Sequence, residues 1–401
     1  MNLNLKKIQM IKITALGLLY ITSTTAWAIE RQDPDFFQLG DFFVIPGVSL
    51  SESYNDNVFL QDNDKQDSGL LTINPKLRVA YEGEYSLSTL DIDLEKGLFH
   101  STSSDNYFDT SIKIGTEMFP TDKLQFGASL ARSDSHDARG IGLQDGLSAF
   151  DFNSPHEYHL YTALADIEYG TRVQGAARLE TAFSLEDKEY DNHRSVTAAL
   201  DRDQSNVTMG LFYMFAPATS ILIEGGFIDV DYDSADVDSK EYRAMIGLEW
   251  EATYQTTGFV KLGIDRKDFS NDAIDDSTEP AWELGVDWSP LSYSVVTVRT
   301  AKGFAEGEGT GTFMSQETLS VDWSHDWYDH IGTRVMLKKS EDAYGSSSRD
   351  DKIESLMVGA DYQYNPWLLI SADYRYDERE STIDGFDYKN SIYNLNFKVN
   401  L

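Results

Sequence analysis

Apolar and polar residues alternate along most of this chain, and most clearly at its end. Between Asn390 and Leu401, Tyr393, Leu395, Phe397, Val399 and Leu401 share one face, while Asn394, Asn396, Lys398 and Asn400 share the other. A period of two marks a strand, whose successive side chains leave opposite faces. The same pattern holds for Leu71, Ile73, Leu77, Val79 and Tyr81, for Val207, Met209, Leu211, Tyr213 and Phe215, and for Tyr242, Ala244, Ile246, Leu248 and Trp250. It holds again for Trp282 to Trp288 and for Leu356 to Tyr364. Each apolar face runs for about ten residues, enough for a tilted strand to cross the hydrocarbon of a bilayer. Eighteen such stretches can be placed. Sixteen is the alternative count, because Ile221 to Tyr232 and Tyr293 to Phe304 do not declare which face is apolar.

The connections fall into two kinds. Four aromatic-proline segments read as tight turns: Phe119-Pro120, Phe215-Ala216-Pro217, Trp288-Ser289-Pro290 and Tyr364-Asn365-Pro366. Gly170-Thr171-Arg172-Val173, Ala252-Thr253-Tyr254-Gln255 and His325-Asp326-Trp327-Tyr328 read as turns without proline. These seven recur every 36 to 51 residues. Aromatics gather beside them (Phe119, Tyr169, Phe215, Trp250, Trp288, Trp323, Trp327, Tyr364 and Trp367), as rings with a polar tip do at a membrane interface. Between the turns lie longer, acidic connections near 55–69, 100–106, 133–155, 187–203, 233–239, 270–279, 303–313, 340–351 and 380–389. Eight short turns and nine long loops predict an all-β protein: a transmembrane antiparallel β-barrel with short periplasmic turns, long acidic extracellular loops and both chain ends in the periplasm.

The beginning of the chain fits that destination. Lys6, Lys7 and Lys12, the apolar run Ile13 to Ile21 and the small-x-small site Ala26-Trp27-Ala28 predict a signal peptide over residues 1–28. Residues 29–42 then read as a periplasmic lead-in and 43–401 as the barrel. The 401 residues contain no cysteine, so export through an oxidising compartment brings no mispairing. Without the three lysines of the signal, 30 basic residues face 67 acidic ones, a net of −37. Such a chain does not bind nucleic acid by bulk electrostatics.

Three segments carry a family likeness. Gly40-Asp41-Phe42-Phe43-Val44-Ile45-Pro46 with Tyr54-Asn55-Asp56-Asn57-Val58-Phe59, then Gly247-Leu248-Glu249-Trp250-Glu251-Ala252-Thr253, and finally Tyr388-Lys389-Asn390-Ser391 resemble the putative beta-barrel porin 2 family across nearly the whole mature chain. The last strand also resembles the terminal assembly signal of outer-membrane barrels, with Leu401 in place of the usual phenylalanine. The resemblance implies an outer-membrane barrel that assists exopolysaccharide or biofilm-matrix biosynthesis and export as a channel component. A passive porin for small solutes or sugars, and a structural or adhesive surface barrel, are the alternatives. The partners expected are outer-membrane lipid and lipopolysaccharide, the barrel-assembly machinery, polysaccharide and export-cluster proteins.

A barrel of this size encloses an aqueous lumen. The polar face of the strands offers Lys76, Arg78, Arg178, Glu180, Arg243, Glu249, Lys261, Asp265, Glu283, Asp287, Asp361, Asp373, Arg375 and Lys398 as its lining. Mixed signs there serve either as cross-strand ion pairs or as a field on a permeating solute. The longest loop, Ser133 to Pro155, is the candidate constriction, with Arg139, Asp145 and Asp151 at its tips and Gly140, Gly142 and Gly146 for backbone freedom. Its other reading is a free external loop. Metal ligation is weak: His136, His156 and His159 lie near Asp134, Asp137 and Asp151 without metal spacing, and Asp229 to Asp238 lack the glycine and glutamate of a calcium loop. No Gly-x-Ser-x-Gly elbow occurs, and no motif singles out a pair such as Ser129 with His159. Neither an enzyme nor a cofactor is expected.

Overall fold

The structure is a computed structural model that describes residues 36–253, 255–307, 309 and 311–400. The expected signal peptide, the first part of the expected lead-in, Tyr254 and Leu401 lie outside the described residues. A short strand β1 (Phe37–Leu39) pairs antiparallel with the start of the first barrel strand, β2 (Phe42–Asn55). The wall continues through β3 (Ser68–Glu82), β4 (Ser86–Phe99), β5 (Tyr107–Thr121), β6 (Leu124–Asp137), β7 (His156–Gly170), β8 (Ala177–Tyr190) and β9 (Arg202–Ala216). It goes on with β10 (Thr219–Tyr232), β11 (Ser239–Thr253), β12 (Thr256–Phe269), β13 (Ser277–Leu291) and β14 (Ser294–Glu306). Then follow β15 (Phe313–Tyr328), β16 (Ile331–Tyr344), β17 (Asp350–Asn365), β18 (Leu368–Ser381) and β19 (Tyr388–Asn400). Every strand pairs antiparallel with its neighbour in sequence, and β19 pairs with β2 from Ile392↔Asn55 to Asn400↔Gly47. The result is a closed barrel of eighteen strands, not sixteen, preceded by one short extra strand.

The strands outrun the apolar faces that predicted them. Fourteen residues in β2, at ~3.3 Å each and a tilt of roughly 40°, rise about 35 Å, more than the ~25 Å apolar band of such barrels. The surplus lies at the loop end. The third loop therefore spans 138–155 rather than starting at Ser133, and the fourth 191–201 rather than 187–203. At the other end, two-residue turns occupy 122–123, 217–218, 292–293, 329–330 and 366–367. Two of the aromatic-proline segments differ from expectation. Pro120 and Pro290 sit in irregular strand ends, where the register shifts between Met118 and Thr121 and between Trp288 and Leu291, and the turn follows them. Proline has no N–H to give the ladder, so an unpaired position suits it. Likewise His325 to Tyr328 end β15, and Asp329-His330 make the turn. Gly83 to Tyr85 form an eighth turn.

The outer surface is apolar. Leu211, Ile223, Ile246, Leu262, Leu319, Leu337 and Val358 are exposed on it, as a lipid-facing band requires. Phe119, Tyr169, Phe215, Trp288, Trp327, Tyr364 and Trp367 are also exposed, beside the turns. Among the described residues no helix is long and apolar enough to cross a membrane; the strands do that work. Replacing outward Leu130 with arginine should cost the barrel ~2–4 kcal/mol at the bilayer midplane, whereas arginine at its inward neighbour Ser129, which is only half-buried, escapes the lipid penalty. Urea unfolding in lipid vesicles measures the difference, and equal losses at both positions would overturn the facing.

Candidate functional site

Strand parity puts all fourteen candidate lining residues on the face opposite the exposed apolar side chains. Most of them do not stand free. On β10 to β13 the Lys261 ammonium bridges Glu224 at 2.8 Å and Glu283 at 3.1 Å, and Arg243 binds Asp265 and, at 3.1 Å, Glu283. Toward the turns Arg178 pairs with Glu180 at 2.6 Å and reaches Glu249, crossing the ring of Phe212 at 4.2 Å. Arg172 folds back from the 171–176 turn to Glu168 and Glu180. Long charged side chains thus lie flat across the wall and cover Phe212, Leu222 and Met245, which are buried although they face the lumen. Elsewhere the pairs are shorter-range: Lys76 with Asp93, Arg78 with Asp91, Arg299 with Asp287, Arg375 with Asp377, and Asn394 donating to Asp373. Asp361 is buried on β17, and Lys398 takes an inward position on β19.

The loop end is crossed by the third loop. Asp145, at the start of a short 3-10 turn, accepts two hydrogen bonds from Arg379 at 2.6 and 3.0 Å and one from Arg349 at 2.7 Å. Arg349 is held in turn by Asp351, and its guanidinium stacks 3.9 Å from the Phe386 ring. Burial opposes the Arg349 charge, but hydrogen bonds to Asp351 and Asp145 outweigh it and hold its pKa above the ordinary value. All four charged groups are buried or nearly so. Arg139 enters the first and second loops, pairing with Asp105 and lying 3.9 Å from the Phe59 ring. Gln61 donates to the Gly146 carbonyl at 2.8 Å, and Phe59 meets Phe150 edge to face. Gly140, at φ +98°, passes so close to Phe59 that a Cβ would sit 2.6 Å from its carbonyl oxygen, so only glycine fits. Asp151 is exposed at the end of the 3-10 turn.

A second element comes from the opposite wall. Pairing of β13 with β14 stops at Trp282↔Lys302. Beyond it the tip of the β14–β15 hairpin bends inward: Glu306 pairs with Lys267 and accepts from Tyr232 at 3.0 Å, and Phe313 packs on Phe269 and Phe304. Gly309 then meets the third loop, where a Cβ on it would lie 2.6 Å from the Gly142 carbonyl oxygen. Loops from both sides meet over the lumen and are latched by buried ion pairs.

The remaining candidates separate. Ser129 lies on the lumen face of β6 and His159 on the outer face of β7, so they form no nucleophile–base pair. His159 binds Asp191 at 3.0 Å, His136 binds Asp109 at 2.9 Å, and the Nδ1 atoms of His156 and His193 are hydrogen-bonded at 2.9 Å. No group of metal-ligating residues assembles among the described residues. Sequence reasoning missed Arg349, Arg379, Asp351, Asp105 and Phe59. The available signal was a lone arginine within an acidic stretch, at Ser348-Arg349-Asp350 and Asp377-Glu378-Arg379.

A closed antiparallel barrel with an apolar exterior and a charged interior is an outer-membrane channel fold. The model of the family described as putative beta-barrel porin 2 matches residues 33–401, and the chain belongs to that family. Porins are channels rather than enzymes. The fold is similar to Pseudomonas aeruginosa OpdK, crystallised with vanillate, at TM-score 0.51, 10% identity and 89% of this chain against 99% of that one. It is similar also to Pseudomonas aeruginosa OccK3 (OpdO), at TM-score 0.50, 11% identity and 89% against 96% coverage. A BenF-like porin from Pseudomonas fluorescens Pf-5 gives TM-score 0.50, 9% identity and 89% against 99%. No curated protein matches the chain.

Removing Asp145 leaves two buried arginines without their shared carboxylate, a loss of about 3–5 kcal/mol for a buried pair. The Asp145→Ala barrel should release the third loop, raise single-channel conductance in planar bilayers and admit protease within 138–155. Conductance and cleavage unchanged from the parent would show that the latch does not hold the loop.

Proposed function

We propose that the protein is a gated outer-membrane channel assisting exopolysaccharide export. The observation that carries this reading is the third loop drawn across the mouth and fixed there by Asp145, Arg349 and Arg379. A loop fixed across the mouth suits a polymer channel, which must stay shut between export events. The charge distribution agrees with a polymer route. Asp233, Asp236, Asp238, Asp272, Asp275 and Asp276 crowd two loops without a basic residue, while most acidic groups of the lumen wall are paired. The acidic excess therefore sits outside the conduit, where divalent ions can tie it to lipopolysaccharide. The last strand engages the barrel-assembly machinery, export-cluster proteins deliver the polymer to the barrel, and the signal peptide is removed after Ala28.

The second reading, a porin for small solutes or sugars, draws on the mixed-charge wall, which suits a transverse field on a small molecule. Deleting the gene separates the two. Under the export reading, matrix polymer outside the cell falls severalfold and returns on complementation, and secretion at the parental level would sink it. N-terminal sequencing of the purified barrel should begin at Ile29; a chain that keeps Met1 to Ala28 would overturn the processing assignment.

A further inference from the structure

The lumen holds a cavity that neither the latch nor the polymer reading uses. It lies in the turn-side half of the β2–β7 wall and has a volume of about 300 Å³, at the lower end of the range for small-molecule pockets. One side is apolar: Phe36 and Phe43, packed edge to face at 5.3 Å, with Ile45, Leu87 and Leu164. The other side carries charge. Arg78 and Asp91 neutralise each other. Glu117 and Asp166 face the cavity from β5 and β7, on either side of Gly127 of β6, in one cross-strand row. Neither carboxylate has a cationic partner within ion-pair distance among the described residues, in a wall where most other charges are paired. Lys113, two inward positions above Glu117, bonds to neither. Gly127 makes the arrangement feasible, since a Cβ there would stand 2.5 Å from Asp166 Oδ1.

We infer that this cavity is a binding site for a cationic organic solute of about sugar size, carrying a primary ammonium. Two unpaired carboxylates outweigh the one unpaired lysine, so the site favours positive charge. Their position across a glycine lets one ammonium donate to both, a charge-assisted arrangement about twice as strong as neutral hydrogen bonds. The rings of Phe36 and Phe43 accept the carbon skeleton and add attraction for the cation. An anionic solute meets two like charges, and a neutral one donates hydroxyl hydrogen bonds but leaves both charges without a counter-ion. This site does not depend on the polymer reading: it stands whether the barrel exports a chain or admits small molecules.

Glucosamine, glucose and glucuronate test it, being alike in size and different in charge. Isothermal titration on the detergent-solubilised full barrel should show glucosamine binding at least tenfold tighter than glucose, with no measurable glucuronate binding. The double variant Glu117→Gln, Asp166→Asn should abolish that preference, and Gly127→Ala, which displaces only the Asp166 carboxylate, should reduce it severalfold. Heat-modified gel mobility shows that each variant remains a folded barrel. Equal affinity for glucosamine and glucose in the parent, or a preference that survives in the folded variants, overturns the site.

Discussion

A bilayer offers a backbone amide no hydrogen-bond partner, and that one condition governs the whole molecule. Strands are admissible in hydrocarbon only if every N–H and C=O on both sides is paired, which a sheet achieves by closing on itself. Eighteen antiparallel strands and the β19–β2 seam meet the requirement. Everything else follows from closure. The alternation of side chains becomes an alternation of solvents, lipid outside and water inside. The interior must then be built from the polar half of each strand.

That polar half has been organised into layers. On β8 to β13 the charged side chains are paired across two or three strands and lie along the wall, over apolar residues such as Leu222 and Met245. Paired charges hold the wall's shape and leave little free field in the conduit. Acidic charge without a cationic partner gathers on the outer loops and beside Gly127, where Glu117 and Asp166 face one cavity. The mouth uses the same chemistry for a different end: Asp145 and its arginines hold a loop rather than a wall, so breaking that one cluster changes access without dissolving the barrel.

How much of this the sequence disclosed depends on how far apart the interacting residues lie. The period-two pattern is local, so strand number, the two kinds of connection and the facing of residues such as Arg243, Lys261 and Glu283 were legible. Ile221 to Tyr232 was ambiguous for a physical reason: Leu222, Ile228 and Val230 face inward yet are apolar, and what makes that tolerable is the long side chains laid over the wall. The third loop announced itself by length and glycine content, and Arg139 and Asp145 by charge. Their partners did not, because Asp145 meets Arg379 across 234 positions of sequence. Pro120 and Pro290 misled by two residues, since a missing N–H suits an irregular strand end as well as a turn.

The seam between the first and last strands has a kinetic meaning. Ser51 on β2 donates to Asn394 on β19, 343 positions later. No partly synthesised chain can make that contact, and closing so long a loop is slow beside the hairpins that precede it. Until the thirteen residues of β19 are in place, β2 carries an open row of amides and carbonyls, ready to pair with another copy. Maturation therefore ends in a single late event. A chain cut short before β19 forfeits the entire barrel rather than one strand in eighteen, and a nearly complete chain must be kept from its neighbours until the ring closes.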